Sequence, residues 1–203
     1  MILPVTTVST DAAMFDIDDT LIATDTGKII QDVYDLYKSV QKKGYKMVII
    51  MPSNMSDERK KMFKYYGATL IEVGEGDFDG AIALRDEMCK DKGWFNCNQF
   101  HNKLNIEAHY MTTGPEIYNQ FKDANEIREC IPDVFVAGTG TGGTLMGVDR
   151  FLKEMWPRMS TVAVEPSESP VMSGGKPGLH GIQGIGDGSK FLVDLNMIDY
   201  MFL

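Results

Sequence analysis

The sequence predicts an α/β fold, a mostly parallel sheet with helices on both faces. Two observations carry this. Short apolar runs of strand length alternate with segments of helical spacing along the chain. A glycine cluster, Gly138-Thr139-Gly140-Thr141-Gly142-Gly143, stands between one apolar run and the next helical segment, the junction expected of a βα unit.

Residues 12–15 form a short apolar run that ends in acids. Residues 26–43 have helical spacing, with Ile30, Val33, Tyr34, Tyr37 and Val40 on one face and Gly44 as the stop. Residues 46–51 read as a buried strand through Met47, Val48, Ile49 and Ile50, closed by Pro52. Ser56 is the expected N-cap of a helix that carries Asp57 and Glu58 in its first turn and stops at Gly67. A strand over 68–73, a helix over 79–90 and an extended segment over 95–100 follow. Residues 114–121 and 124–130 read as helices, 133–137 as a strand, 144–154 as a helix and 161–164 as a strand. Residues 165–189, rich in Gly, Pro and Ser, read as a long loop.

Composition is that of an ordinary globular chain, with 43% hydrophobic and 24% charged residues in 203. The net charge of −9 disfavours nucleic acid and anionic lipid as partners. No apolar run reaches the length of about 18 residues that a membrane helix needs. Cys89, Cys97 and Cys130 are odd in number and contain no Cys-x-x-Cys pair, so a reducing cytoplasm is the expected location. His101, His109 and His180 show no metal-ligand spacing.

The chemistry concentrates in the glycine cluster. Glycines let backbone amides approach an anion, and the following helix start adds its positive dipole end. Thr141 and Thr144 add hydroxyls, so the physical reading is a phosphate cradle and the expected ligand a small anion or phosphate. Gly138, Gly140 and Gly143 also satisfy a dinucleotide pattern, with Glu165 placed for a ribose hydroxyl, and that reading stays open on spacing alone.

From Ala137 to Gly147 the chain reads AGTGTGGTLMG, which resembles the phosphate-binding segment of cysteine synthases (O-acetylserine sulfhydrylases), pyridoxal phosphate (PLP) enzymes of fold type II. Other segments agree in order: GYKMVIIMPSNMSDE from Gly44; Gln99, Asn105 and His109 before TTGPEI from Thr112; VEPSESP from Val164; HGIQGIGDG from His180. The resemblance runs over residues 44–199. It implies that Gly140, Thr141, Gly142, Gly143 and Thr144 hold the PLP phosphate. It also implies that Gln99 helps hold a substrate carboxylate and that Gly184 lies near the cofactor ring. The implied activity is β-replacement, O-acetylserine plus sulfide to cysteine.

The family's Schiff-base lysine and a Ser-Gly-Asn-Thr-Gly loop precede the first strand matched, and neither is recognisable before Gly44; Lys28 and Lys46 stand in other contexts. The expectation is an incomplete fold-type-II architecture with impaired or absent activity. In that place stands Asp16-Ile17-Asp18-Asp19-Thr20, which resembles the first motif of haloacid-dehalogenase-like (HAD) phosphatases. That resemblance implies Asp16 as nucleophile, Asp18 as acid/base and both as Mg²⁺ ligands. Met51-Pro52 replaces the hydroxyl that family expects after the next strand, while Asp77 and Asp79 offer a later acidic pair.

The expected division is a HAD-like β-α start over 1–43, a small-domain part over 44–111 and an incomplete large domain over 112–203. Exposed apolar edges then predict a homodimer or pairing with a related protein. Three functions remain open: the PLP enzyme or its impaired relative, a Mg²⁺-dependent phosphohydrolase, and a non-catalytic binding module.

Overall fold

The computed structural model describes residues 12–14, 22–23, 28–29, 42–124, 131–182, 184–186 and 188–203. The chain is α/β, built of two short parallel sheets, one antiparallel pair and helices, and divides into two compact units, Met1–Cys97 and Asn98–Leu203. The division expected near Met111 thus compares with a unit boundary at Cys97 and Asn98.

In the first unit, β1 (Ala12–Met14), β4 (Lys46–Pro52), β5 (Thr69–Val73) and β6 (Phe95–Asn96) form a parallel sheet in the order β5-β4-β1-β6. β4 lies between two partners and buries Met47, Val48, Ile49 and Met51. Its unbroken apolar run matches that covered position. Helix α1 (Asp57–Tyr65) lays Phe63 against Met47, Ile49 and Met51, and Tyr66 just past it joins them. Ser56 holds the N-cap position, but its hydroxyl makes no capping bond. Asp77 does cap α2 (Phe78–Lys92), accepting from the Gly80 amide at 2.8 Å.

β2 (Ile22–Ala23) and β3 (Lys28–Ile29) pair antiparallel, which corrects the start of the helix expected over 26–43; Lys42 is helical, and residues 30–41 lie outside the described residues. A hairpin partner five to seven residues earlier pairs with Lys28 and Ile29, and the β-branched Ile29 suits it; helical spacing read from residue 26 onward does not include that partner.

In the second unit, α3 (Leu104–Met111) and α4 (Thr113–Ala124) precede β7 (Val134–Gly138), α5 (Gly143–Met155), β8 (Ser160–Val164) and β9 (Tyr200–Phe202). The three strands run parallel in the order β7-β8-β9. Phe135, Ala137, Ala163 and Met201 share the face packed on Leu145 and Met146 of α5. The opposite face carries the row Val136–Val162–Tyr200 and the pair Val164–Phe202. It stands open at its margins, with Val136 58% and Phe202 65% exposed.

A charged network closes the far side of α5. Asp149, fully buried, accepts from the Thr161 hydroxyl, and Lys153 Nζ lies 3.2 Å from its Oδ1. Lys153 also reaches Asp199 Oδ2 at 2.9 Å and the Met197 carbonyl at 3.0 Å, while the Thr161 amide donates to Asp199 at 2.8 Å. Bonds from Lys153 and then from the Thr161 amide hold the Asp199 carboxyl below its ordinary range. Partial burial opposes the charge of Lys153, but its bonds to Asp199 and Asp149 outweigh that and raise its pKa. The network fastens the 3₁₀ turn Leu195–Met197 and β9 to α5 and β8.

No helix among the described residues is long and apolar enough to cross a membrane.

Candidate functional site

The glycine loop leaves the C-terminal end of β7, as ligand loops of parallel α/β sheets do, and enters α5 at Gly143. Gly142 is the N-cap of α5 at φ +90°, a left-handed conformation that side chains strain to adopt. A Cβ on Gly143 would fall on the side-chain amide of Asn105, so the loop fits against α3 only with glycine there. Met146 N is the first amide of α5 to find a backbone acceptor, Gly142 O at 3.0 Å. The amides of Gly140, Thr141, Gly142, Thr144 and Leu145 donate to no group among the described residues, so a row of donors stands at the helix start.

The loop is braced from three directions. From α3, Asn105 Nδ2 donates to Thr141 Oγ1 at 3.1 Å, and His109 Nε2 lies 3.2 Å from Thr144 Oγ1. Asn105 and His109 are one helical turn apart and so share a face. His109 Nδ1 meets Thr113 Oγ1 at 2.9 Å, and burial lowers its pKa from 6.5. The neutral ring offers one donor and one acceptor, one to each threonine. From the long loop, the Gly186 amide donates to Thr139 O at 2.9 Å, and His180 Nε2 lies 3.0 Å from Gly186 O. From beyond that loop, the Leu192 amide donates to Thr141 O at 3.1 Å. Phe191, at φ 40°, sets that approach and stacks its ring 4.6 Å from Phe100.

These residues fit a phosphate group: unpaired amides, a hydroxyl at Thr144 and a helix start, on a loop whose inner side is filled by Asn105 and Val193. The structure brings Gly140, Thr141, Gly142, Gly143 and Thr144 together, and ties Gln99 to them through Asn105, which also donates to Gln99 O at 3.2 Å. Gly184, at φ +90°, has open space where a side chain would stand. Asp16 and Asp18, read above as resembling a HAD-like motif, lie outside the described residues. Among the described residues no group of His, Cys, Asp or Glu is placed to hold a metal ion. Asp77 is engaged as the cap of α2.

The dinucleotide reading loses its ribose acid. Glu165 is 2% exposed, and its carboxylate already accepts from the Met172 amide at 2.9 Å and the Ser173 amide at 2.7 Å. It folds the long loop instead. The bracing roles of Asn105 and His109 were missed in the residue pattern. Their signal was the four-residue spacing, which shows only once 104–111 is known to be a helix.

Residues 39–201 match the family described as pyridoxal-phosphate dependent enzyme. A cysteine synthase of Staphylococcus aureus is 46% identical over 147 residues, covering 72% of this chain and 46% of that protein. One from a Flavobacterium species is 37% identical over 161 residues, covering 77% and 50%. The chain thus spans about half the length of the curated relatives it matches. Among solved structures, a hydrogen sulfide-producing enzyme from Fusobacterium nucleatum superposes with a TM-score of 0.76 at 33% identity, covering 96% of this chain and 56% of that one. The cysteine synthase of Entamoeba histolytica gives 0.69 at 36% identity, covering 82% and 48%. None of these relatives supports the HAD-like resemblance at Asp16 and Asp18. With its glycine loop, its α/β fold and these relatives in agreement, the chain belongs to the pyridoxal-phosphate dependent enzyme family.

Proposed function

We propose that this chain carries the phosphate-binding half of a cysteine synthase-type site and, as it stands, is impaired in β-replacement of O-acetylserine by sulfide. The observation that carries the reading is the set of unpaired amides at Gly140, Thr141, Gly142, Thr144 and Leu145, on a loop braced by Asn105, His109 and the Leu192 amide. Those amides and Thr144 would take the PLP phosphate, Gly184 would leave room for the ring, and Gln99 would meet the substrate carboxylate. When bound, PLP supplies the electron sink of the reaction. The residues present bind and orient. Lys46, exposed at the start of β4, and Lys28 in β3 stand in segments unlike the family's lysine segment, which supports the impaired reading.

Equilibrium binding of PLP compared with pyridoxal, which lacks the phosphate, tests this. PLP should bind at least about tenfold more tightly, since charge-assisted bonds to phosphate are the main attachment. No visible band should remain that borohydride removes with modification of a lysine. Equal binding of the two ligands would sink the cradle reading, and a borohydride-fixed lysine would sink the impaired one.

A further inference from the structure

Two stretches that serve the site meet on one side chain. Asn105 Nδ2 donates to the Gln99 carbonyl at 3.2 Å and to the Thr141 hydroxyl at 3.1 Å. Both hydrogens of that amide are therefore used. The Thr141 oxygen in turn accepts from Asn105 and, at 3.4 Å, from the Gly143 amide, so it sits between α3 and the first residue of α5. Asn105 itself starts from a fixed frame: its backbone amide donates to Asn102 O at 3.0 Å, and the Asn102 side chain accepts from the Leu104 amide at 3.1 Å. Its oxygen fills the space that a Cβ on Gly143 would need, so the side chain packs directly against the start of α5.

We propose that Asn105 is a positioning residue that couples anion occupancy of the glycine loop to the placement of Gln99, an inference that rests on the phosphate-cradle reading above. An anion drawn onto the loop amides shifts Thr141, and the fork of Asn105 passes that shift to the Gln99 carbonyl. The coupling is reciprocal: a carboxylate held at Gln99 favours the loop geometry that holds phosphate. A second route runs beside it, from Phe100 through the ring of Phe191 to Leu192 and Thr141 O. It is a stacking contact with lateral freedom, whereas the fork is directional, so the fork carries the coupling.

The test is a titration of the isotope-labelled full chain with inorganic phosphate, followed by backbone amide NMR. The reporter is the amide of Phe100, which shares a peptide plane with the Gln99 carbonyl. In wild type the amides of Gly140 to Thr144 and that of Phe100 should move together, with one apparent affinity. In Asn105→Ala the loop amides should still respond, with affinity about threefold to tenfold weaker. Phe100 should then stay unmoved at saturating phosphate, an uncoupling that a merely structural role for Asn105 would not produce. Phe191→Ala should leave the Phe100 response in place. A Phe100 response that survives Asn105→Ala, or that is absent from wild type while the loop responds, overturns the coupling. Loop amides of wild type that ignore phosphate would instead bring down the cradle reading, and the coupling with it.

Discussion

At the entry to α5, Thr141 and Thr144 lean on Asn105 and His109, all uncharged at neutral pH. On the opposite side of the same helix, Asp149 and Lys153 engage Thr161 and Asp199 through charges. The first network spends its side-chain donors and acceptors on bracing the loop and leaves the amides of Gly140, Thr141, Gly142, Thr144 and Leu145 unpaired. The second gathers around one oxygen of a fully buried carboxylate, whose other oxygen has no hydrogen-bond partner among the described residues, and holds the chain's last strand. A neutral brace can shape a receptor for an anion without competing for it. A charged clamp serves where nothing is to be admitted.

The largest effect that sharpens this comparison is at Lys153. Lys153→Met keeps the length and leaves Asp149 buried without its cation, so stability should fall by about 3 kcal/mol. Phosphate affinity should be unchanged in the folded fraction. Urea unfolding checks the first statement and phosphate titration the second; a variant that loses affinity with little change in stability would reverse the two roles.

Gly143→Ala should instead weaken stability and anion binding together. The added methyl collides with the Asn105 amide, at about 2 kcal/mol for a tightly packed site, and pushes the loop out of shape. The phosphate-induced shifts of Gly140 to Thr144 should be lost, and unchanged shifts would show that the loop tolerates the displacement.

The smallest effect is in pH. Burial lowers the His109 pKa below 6.5, so the unfolded chain takes up a proton first, and stability declines as pH falls from about 6.5 toward the folded value. Asp199 behaves differently. Its pKa is lowered from 3.8, so its stabilisation is present above that pH and is lost as pH falls below it. Melting temperatures should therefore drop in two stages on acidification. His109→Asn should remove the upper stage and Asp199→Asn the lower. A single stage common to all three proteins would break the distinction between the networks.

The site was legible in the sequence to the extent that it is made of backbone. Gly140, Gly142 and Gly143 announce a loop that must approach something closely, and their place after an apolar strand locates it. What supports the loop was not legible, because Asn105 and His109 act across a helix pairing whose partner is some 35 residues away in sequence. The buried strand β4 was readable from its unbroken apolar run. β9 was missed: its Tyr-Met-Phe triplet is too short to show a period, and it owes its strand state to pairing with β8. The ribose role that spacing left open for Glu165 does not hold, since a well-placed acid looks the same whether it faces a ligand or caps its own loop.

The open face of the β7-β8-β9 sheet has a calorimetric consequence. Heat capacity rises on unfolding because apolar surface newly meets water. Val136, Tyr200 and Phe202 already meet much of it in the folded chain. They add little to the change when the chain melts. A domain of this length would ordinarily show about 2.4–3.0 kcal/mol/K, and this one should fall short of that. Its stability curve should accordingly be flatter, with a weaker loss of stability on cooling than a fully covered sheet would show.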